Sequence, residues 1–210
     1  MRQLLIATSN AGKVREFREM LGGADGGFEW SDLSRHPGVT PVEEPGRTFL
    51  ANACLKASGY AVQLKTWALA DDSGLEIDAL GGSPGVSSAR WAKLNEAGDG
   101  DADNNALLLR QLDEVADARR TARFVCVLAL ADPDGRIILT ARDAVEGTIL
   151  RSPRGSNGFG YDPLFYVEEL GKSTAELSPA EKHAVSHRGK ALRRMRELMG
   201  RAGLAVSGHV

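Results

Sequence analysis

The chain has 210 residues, 42% of them hydrophobic, enough for one domain, whole or in two lobes, around a sizeable core. Its 26 basic and 28 acidic residues leave a formal net charge of -2, which argues against a dedicated polyanion binder but leaves room for a local basic pocket. Cys54 and Cys126 both fall in apolar-periodic segments and read as buried thiols, so a disulfide framework is excluded.

The opening run Met1–Ala7 is too short an apolar stretch for a signal peptide, and no run approaches the ~20 apolar residues of a membrane span. A cytoplasmic protein acting away from membranes and nucleic acid is the expectation. Leu4–Ala7 is a short strand. Ser9-Asn10-Ala11-Gly12 is a turn, and Lys13–Leu21 has Val14, Phe17 and Leu21 at helical spacing, with Gly22-Gly23 ending the helix. A strand, a turn and a helix start with a lysine make an anion site suited to phosphate, or an ordinary connection. The Walker A spacing is absent.

Val42–Gly46 is a loop by composition, and Glu43-Glu44 within it is either a solvated pair or a source of metal oxygens. Thr48 is an N-cap for a helix running to about Lys65, with an apolar stripe of Leu50, Cys54, Ala57, Ala61 and Leu64. Asn52 and Lys56, four apart, share a different, polar face.

Trp67-Ala68-Leu69-Ala70 is apolar and runs into Asp71-Asp72-Ser73-Gly74. Two carboxylates at the end of a strand suit a divalent cation, since Mg²⁺ takes carboxylate oxygens and keeps waters and phosphates as its other ligands. The same residues also make an Asp-rich turn, and the segment alone does not choose. If the strand reaches them, the two side chains point to opposite faces and only one meets a metal.

Leu75–Ala79 is a period-2 strand, and Gly81–Gly85 a loop. Asp103 caps a helix with Leu107, Leu108, Leu112 and Val115 inward. Phe124–Ala131 reads as a central strand buried on both faces, and Asp132–Gly135 turns it into a second strand, Arg136–Leu150. Arg151–Gly160 is a loop. In Gly158-Phe159-Gly160-Tyr161-Asp162-Pro163, glycines flank an aromatic, so Phe159 or Tyr161 can stack on a base and Asp162 can accept hydrogen bonds from it; a turn with a packed aromatic has the same sequence.

Ser178-Pro179-Ala180-Glu181 starts a helix with a capping box and Pro at its first position. Lys182, His187 and Arg188 concentrate donors there, for a base carbonyl or a phosphate, or as a basic helix face. The last helix carries Leu192, Met195, Leu198 and Met199, and Ala202–Val210 is a loose tail holding His209. No zinc spacing, nucleophilic cysteine or Gly-x-Ser-x-Gly elbow is present. The hairpin among alternating strands and helices predicts a mixed α/β fold, a mixed sheet flanked by helices.

Taken in order, Thr8–Lys13, Glu43-Glu44, Thr48-Phe49 with Asn52 and Lys56, Ala70–Leu75, Leu80–Gly85, Gly158–Pro163, Ala175–Leu177, Lys182 and Ser186–Gly189 resemble the inosine/xanthosine triphosphate pyrophosphatase family from Leu4 to about Met199. The resemblance implies a single domain over residues 1–210 with a curved mixed sheet, two lobes, a site in the cleft between them and a homodimer. It implies Mg²⁺-dependent hydrolysis of ITP, dITP and XTP to the monophosphate and pyrophosphate. Asp72 is then the general base and a metal ligand, and Glu43, with Glu44 as the alternative, supplies a second carboxylate. Thr8, Ser9, Asn10, Ala11, Gly12, Lys13 and Lys56 hold the triphosphate, and Ser73 touches the substrate. Phe159, Gly160, Tyr161, Asp162, Lys182, His187 and Arg188 form the base pocket. Ala51 stands where the family usually has Glu, and Ser9 where it commonly has Gly. A triphosphatase cutting at another phosphate, or acting on other modified nucleotides, and a non-hydrolytic nucleotide sensor are the competing readings.

Overall fold

The structure is a computed structural model and describes residues 2–21, 24–25 and 28–204. Strand β1 (Arg2–Ile6) carries the buried run Leu4-Leu5-Ile6 and leads into helix α1 (Ala11–Leu21), which begins two residues before the predicted start. Asn10 accounts for the earlier start: its Oδ1 accepts from Lys13 N at 3.0 Å, an N-cap. The buried face of α1 is Glu16, Phe17 and Leu21, while Val14 is half-buried. The Gly22-Gly23 helix stop lies outside the described residues. Strands β2 (Ala24–Asp25) and β3 (Phe28–Asp32) follow.

Thr48 caps α2 (Phe49–Leu64), its side chain accepting from Ala51 N. The apolar stripe predicted for this helix is corrected. Leu50 is 48% exposed, and Cys54 and Leu64 are only partly buried. The buried face is Phe49, Asn52, Ala53, Lys56, Ala57, Tyr60 and Ala61, an i, i+3, i+4 pattern that takes in the polar pair. Alanines at three of these positions let the helix pack closely, and carboxylates elsewhere offset the cost of burying Lys56.

Strand β4 (Trp67–Ile77) is continuous. Asp71 and Asp72 therefore lie inside an eleven-residue strand, which corrects the expected strand end and removes the turn reading. Short α3 (Trp91–Leu94) precedes α4 (Asp101–Gln111), whose N-cap residue is Gly100; Asp103 instead accepts from Asp99 N at 2.8 Å. Strands β5 (Thr121–Ala131) and β6 (Ile137–Ile149) form the predicted hairpin, its turn held by Asp132 Oδ1, which accepts from Asp134 N and Arg136 N. The short strands β7 (Phe165–Val167) and β8 (Lys172–Ser173) are not foreseen in the sequence. Helices α5 (Pro179–Val185) and α6 (His187–Arg201) are the last elements among the described residues. Leu204, in the predicted tail, packs on the core, and residues beyond it lie outside the described ones.

The sheet order is β2-β3-β1-β4-β5-β6-β7-β8. Strand β1 pairs parallel with β3 and β4, whereas β2/β3, β6/β7 and β7/β8 are antiparallel. The sheet is mixed, as the hairpin requires. The chain divides into two compact units, one of residues 1–72, 126–143 and 188–210, the other of residues 73–125 and 144–187. The first packs Leu4, Ile6 and Phe17 with Leu69, Leu128 and Met195; the second packs Leu75, Ile77 and Leu108 with Phe124, Tyr161 and Phe165. Among the described residues no helix is long and apolar enough to cross a membrane.

Helix α5 carries Lys182, and its start shows a measurable pH signature. Ser178 N and Oγ both donate to Glu181 Oε2 at 2.8 Å, and the backbone bond chiefly draws the Glu181 carboxyl from its ordinary 4.5 to about 2. A depressed carboxylate stabilises fully above the unfolded value and loses that contribution as pH falls through the folded one. Glu181→Gln is therefore expected to lower the thermal midpoint at pH 5–7, with the difference from wild type closing between about pH 4.5 and 2.

Candidate active site

In the first unit, side chains from α1, α2, β4, β5 and α6 meet around two neighbouring aspartates. Alternation along β4 sends Asp71 and Asp72 to opposite faces. Asp71 is 1% exposed. It ion-pairs with Lys13, accepts from Arg188 Nε at 2.9 Å, and accepts from the Cys126 thiol at 3.0 Å. Arg188 in turn pairs with Glu16 of α1. Burial works against the Asp71 charge, but Arg188 and Lys13 outweigh it and hold this carboxyl well below the usual carboxylate range.

Asp72 has the contrary environment. Lys56 Nζ reaches its Oδ1 at 3.3 Å and also pairs with Glu44 at 2.6 Å. Burial raises the Asp72 carboxyl above its ordinary value, against the pull of Lys56 and Lys13. Lys56 is buried too, yet Asp72 and Glu44 raise its ammonium and keep it charged. Adjacent carboxyls of one strand are thus pushed in opposite directions, Asp71 down and Asp72 up.

A divalent cation fits the Asp72 side. Asp72 Oδ2 is buried with no hydrogen-bond partner among the described residues, which is the state of an oxygen built for a ligand. Among the described residues no group of three His, Cys, Asp or Glu side chains is placed to hold a metal. Mg²⁺ is usually bound through one or two carboxylates plus substrate phosphates. Glu44, half-buried and sharing Lys56 with Asp72, is the second carboxylate that the geometry brings to this place; Glu43 is exposed. Gly46 packs so closely on Ala51 and Asn52 of α2 that a Cβ there would collide with both, which fixes the acidic loop against the helix.

The residues expected to hold the triphosphate lie just before and at the start of α1. Thr8 is buried and its Oγ1 accepts from Asn10 N, and Asn10 caps the helix. Ser9 and Ala11 are exposed, and Gly12 is half-buried. The first amides of a helix have no intrahelical acceptor, and with Lys13 they favour an anion.

The second unit holds the other group. Phe159 is half-buried, its N donates to Asp162 Oδ2 at 2.8 Å, and Lys182 Nζ lies 5.1 Å from its ring centroid. Asp162 is 3% exposed, pairs with Lys182 and accepts from Thr174 Oγ1 at 2.9 Å. Gly158, at φ +80°, lies against Asp162 and Lys182, leaving no room for a Cβ. Gly160 is pinned by α4: its N donates to Asp101 and its carbonyl accepts from Asn105. The ring of His187 stacks on Phe124 at 4.8 Å and 15°. Ser73, next to Asp72 in β4, is half-buried.

Three expected base-pocket residues have other local duties. Tyr161 is buried in the second core and its hydroxyl donates to Ser88 O at 2.9 Å. Asp162 is occupied by three internal donors. Arg188 belongs to the first unit, committed to Asp71 and Glu16. Sequence reasoning missed Glu16, Asn105, Phe124 and Thr174. Glu16 carries a readable signal: it borders Phe17 on the inward arc of α1, and a carboxylate there needs a cation.

These two groups sit in a fold with close relatives. The chain belongs to the Ham1 family, whose model matches residues 4–198. It is 50% identical over 199 residues to a dITP/XTP pyrophosphatase of Desulforamulus reducens, covering 95% of this chain and 96% of that protein. It is 52% identical over 193 residues to one from an Exiguobacterium species, covering 92% and 94%. Among solved structures, a HAM1 protein from Coxiella burnetii superposes with TM-score 0.83 at 39% identity, covering 96% of this chain and all of that one. A nucleoside-triphosphatase (dITP/XTP pyrophosphatase) from Mycobacterium abscessus matches at TM-score 0.72 and 41% identity, over 92% and 98% of the two chains.

Proposed function

We propose that this protein hydrolyses deaminated purine nucleoside triphosphates, ITP, dITP and XTP, to the monophosphate and pyrophosphate, as a cytoplasmic, Mg²⁺-dependent homodimer that keeps such nucleotides out of the pool. The observation that carries the reaction type is the split between Asp71 and Asp72. A paired anion orders Lys13, and a raised carboxyl, with a buried oxygen that has no hydrogen-bond partner among the described residues, stands beside Lys56. Water attacks the α-phosphorus, the bond from that phosphorus to the bridging oxygen breaks, and pyrophosphate leaves. Asp72 takes the proton of the attacking water. Lys13, Lys56 and the α1 amides hold the phosphates. Asp72 and Glu44 would hold Mg²⁺, which supplies neutralisation of the triphosphate charge.

Phe159, Lys182 and His187 take the base. Hypoxanthine and xanthine present a carbonyl where adenine has an amine, and donors such as Lys182 and His187 match the carbonyl. A buried polar group left facing the wrong partner costs about 1–3 kcal/mol, roughly 5- to 150-fold in selectivity. Stacking is worth about 1–3 kcal/mol per base, so Phe159→Ala is expected to raise KM for ITP about tenfold with kcat little changed. An unchanged KM would mean that the ring only packs.

A panel of triphosphates with Mg²⁺, scored for pyrophosphate and orthophosphate, tests the whole reading. Pyrophosphate from ITP, dITP and XTP, with little from ATP, is the expected result. Inosine diphosphate plus phosphate, or binding with no turnover under any divalent metal, would overturn it in favour of a different cut or a sensor.

A further inference from the structure

We propose that Glu16 is a positioning residue for the phosphate lysine, acting through a buried relay of alternating charges: Glu16, Arg188, Asp71, Lys13. The proposal rests on the reading of Lys13 as a triphosphate ligand.

Glu16 follows Lys13 by three residues on α1 and is 4% exposed, in the interior where its helix contributes Phe17 and Leu21 to the core. A charge so placed is costly unless paired. Its partner is Arg188, 1% exposed at the start of α6. The guanidinium is used from two sides: Nη1 meets Glu16, while Nε donates to Asp71 Oδ2 at 2.9 Å. Asp71 Oδ2 also accepts from the Cys126 thiol, which leaves Oδ1 for Lys13. Two anions and two cations thus alternate through three segments of the first unit, and the relay is neutral as a whole.

The fork geometry of the guanidinium makes the order matter. An arginine clamped by carboxylates at two of its edges has one orientation. Glu16 fixes that orientation, Arg188 fixes Asp71, and Asp71 aims the ammonium of Lys13 beside the α1 amides. Without Glu16 the guanidinium can turn toward Asp71 with both edges and draw this carboxylate from Lys13. Lys13 contributes binding to ground and transition states alike, so its misplacement raises KM and spares kcat. A residue that only held the fold would act otherwise: it would reduce the amount of active protein, lowering apparent kcat at constant KM.

The test is a double-mutant cycle on ITP hydrolysis with Mg²⁺, using Glu16→Gln, Lys13→Met and the pair, with circular dichroism on each. Glu16→Gln is expected to raise KM about tenfold in the wild-type background, and to have almost no effect on KM when residue 13 is already Met. Glu16→Asp, which keeps the charge and shortens the arm, is expected to restore part of the loss. If Lys13→Met leaves KM unchanged, the phosphate assignment of Lys13 is wrong and the relay has nothing to position. If Lys13→Met raises KM but Glu16→Gln does not, or raises it by the same factor in both backgrounds, the relay alone is overturned. Loss of folded protein in both Glu16 variants would also overturn it, because the residue would then be holding the fold.

Discussion

Asp72→Asn is expected to reduce kcat for ITP by about 10³-fold or more while the protein stays folded and still binds nucleotide. The magnitude follows from what the amide cannot do. It takes no proton from the attacking water, a role worth about 10²–10⁴ in rate, and it is a poorer oxygen ligand for a hard cation. Stability is spared because Lys56 keeps its 2.6 Å pairing with Glu44, so no buried ammonium loses its last carboxylate. The neighbouring variant, Asp71→Asn, is expected to do the reverse. It removes the charge that the partly buried Lys13 and the buried Arg188 share, and breaking a buried pair by removing one partner costs about 3–5 kcal/mol. Steady-state kinetics and thermal melts on the two variants separate the roles. Wild-type kcat in Asp72→Asn would show that another group takes the proton; equal melting losses would show that the two aspartates are not differently used.

The separation of roles was legible only in part. The hairpin at Asp132–Gly135 and two of the three expected capping residues, Thr48 and Ser178, follow from local chemistry that acts over a few residues, and the structure has them; the strands β2, β3, β7 and β8 and the Gly100 cap of α4 carry no such local signal. Strand β4 was misread because Asp, Ser and Gly disfavour strands when isolated. Here the carboxylates find cations on both faces of the sheet, and tertiary pairing overrides propensity. The inward face of α2 was misread for the same reason: Asn52 and Lys56 look solvated until Asp72 and Glu44 are known to sit beside them. Residue types at the site were visible, but their partners were not. Nothing in Asp162 tells that its carboxylate meets Thr174, twelve residues on, before it could meet a substrate.

The surroundings of Asp162 lead to the second large effect. If Asp162 contacted the base directly, Asp162→Ala would cost binding and little else. In the structure its carboxylate is a buried hub for Lys182, Thr174 and the Phe159 amide, so the substitution is expected to unfold as well as disarm. It leaves the Lys182 ammonium, with 7% of its side chain exposed, buried without that carboxylate, at a cost of about 3–5 kcal/mol. For a chain of this size such a loss lowers the thermal midpoint by roughly 6–20 °C. Lys182→Met in the same protein removes the buried charge, and the double variant is expected to regain most of the midpoint. It is not expected to regain activity on ITP, because the donor for the base carbonyl is gone and the Phe159 loop has lost its anchor. The pair of melts and one rate therefore decide between the two roles. A double variant as unstable as the single would mean that Thr174 and the Phe159 amide, not Lys182, are what Asp162 chiefly holds. A single variant with a wild-type melt and a raised KM would return Asp162 to the substrate.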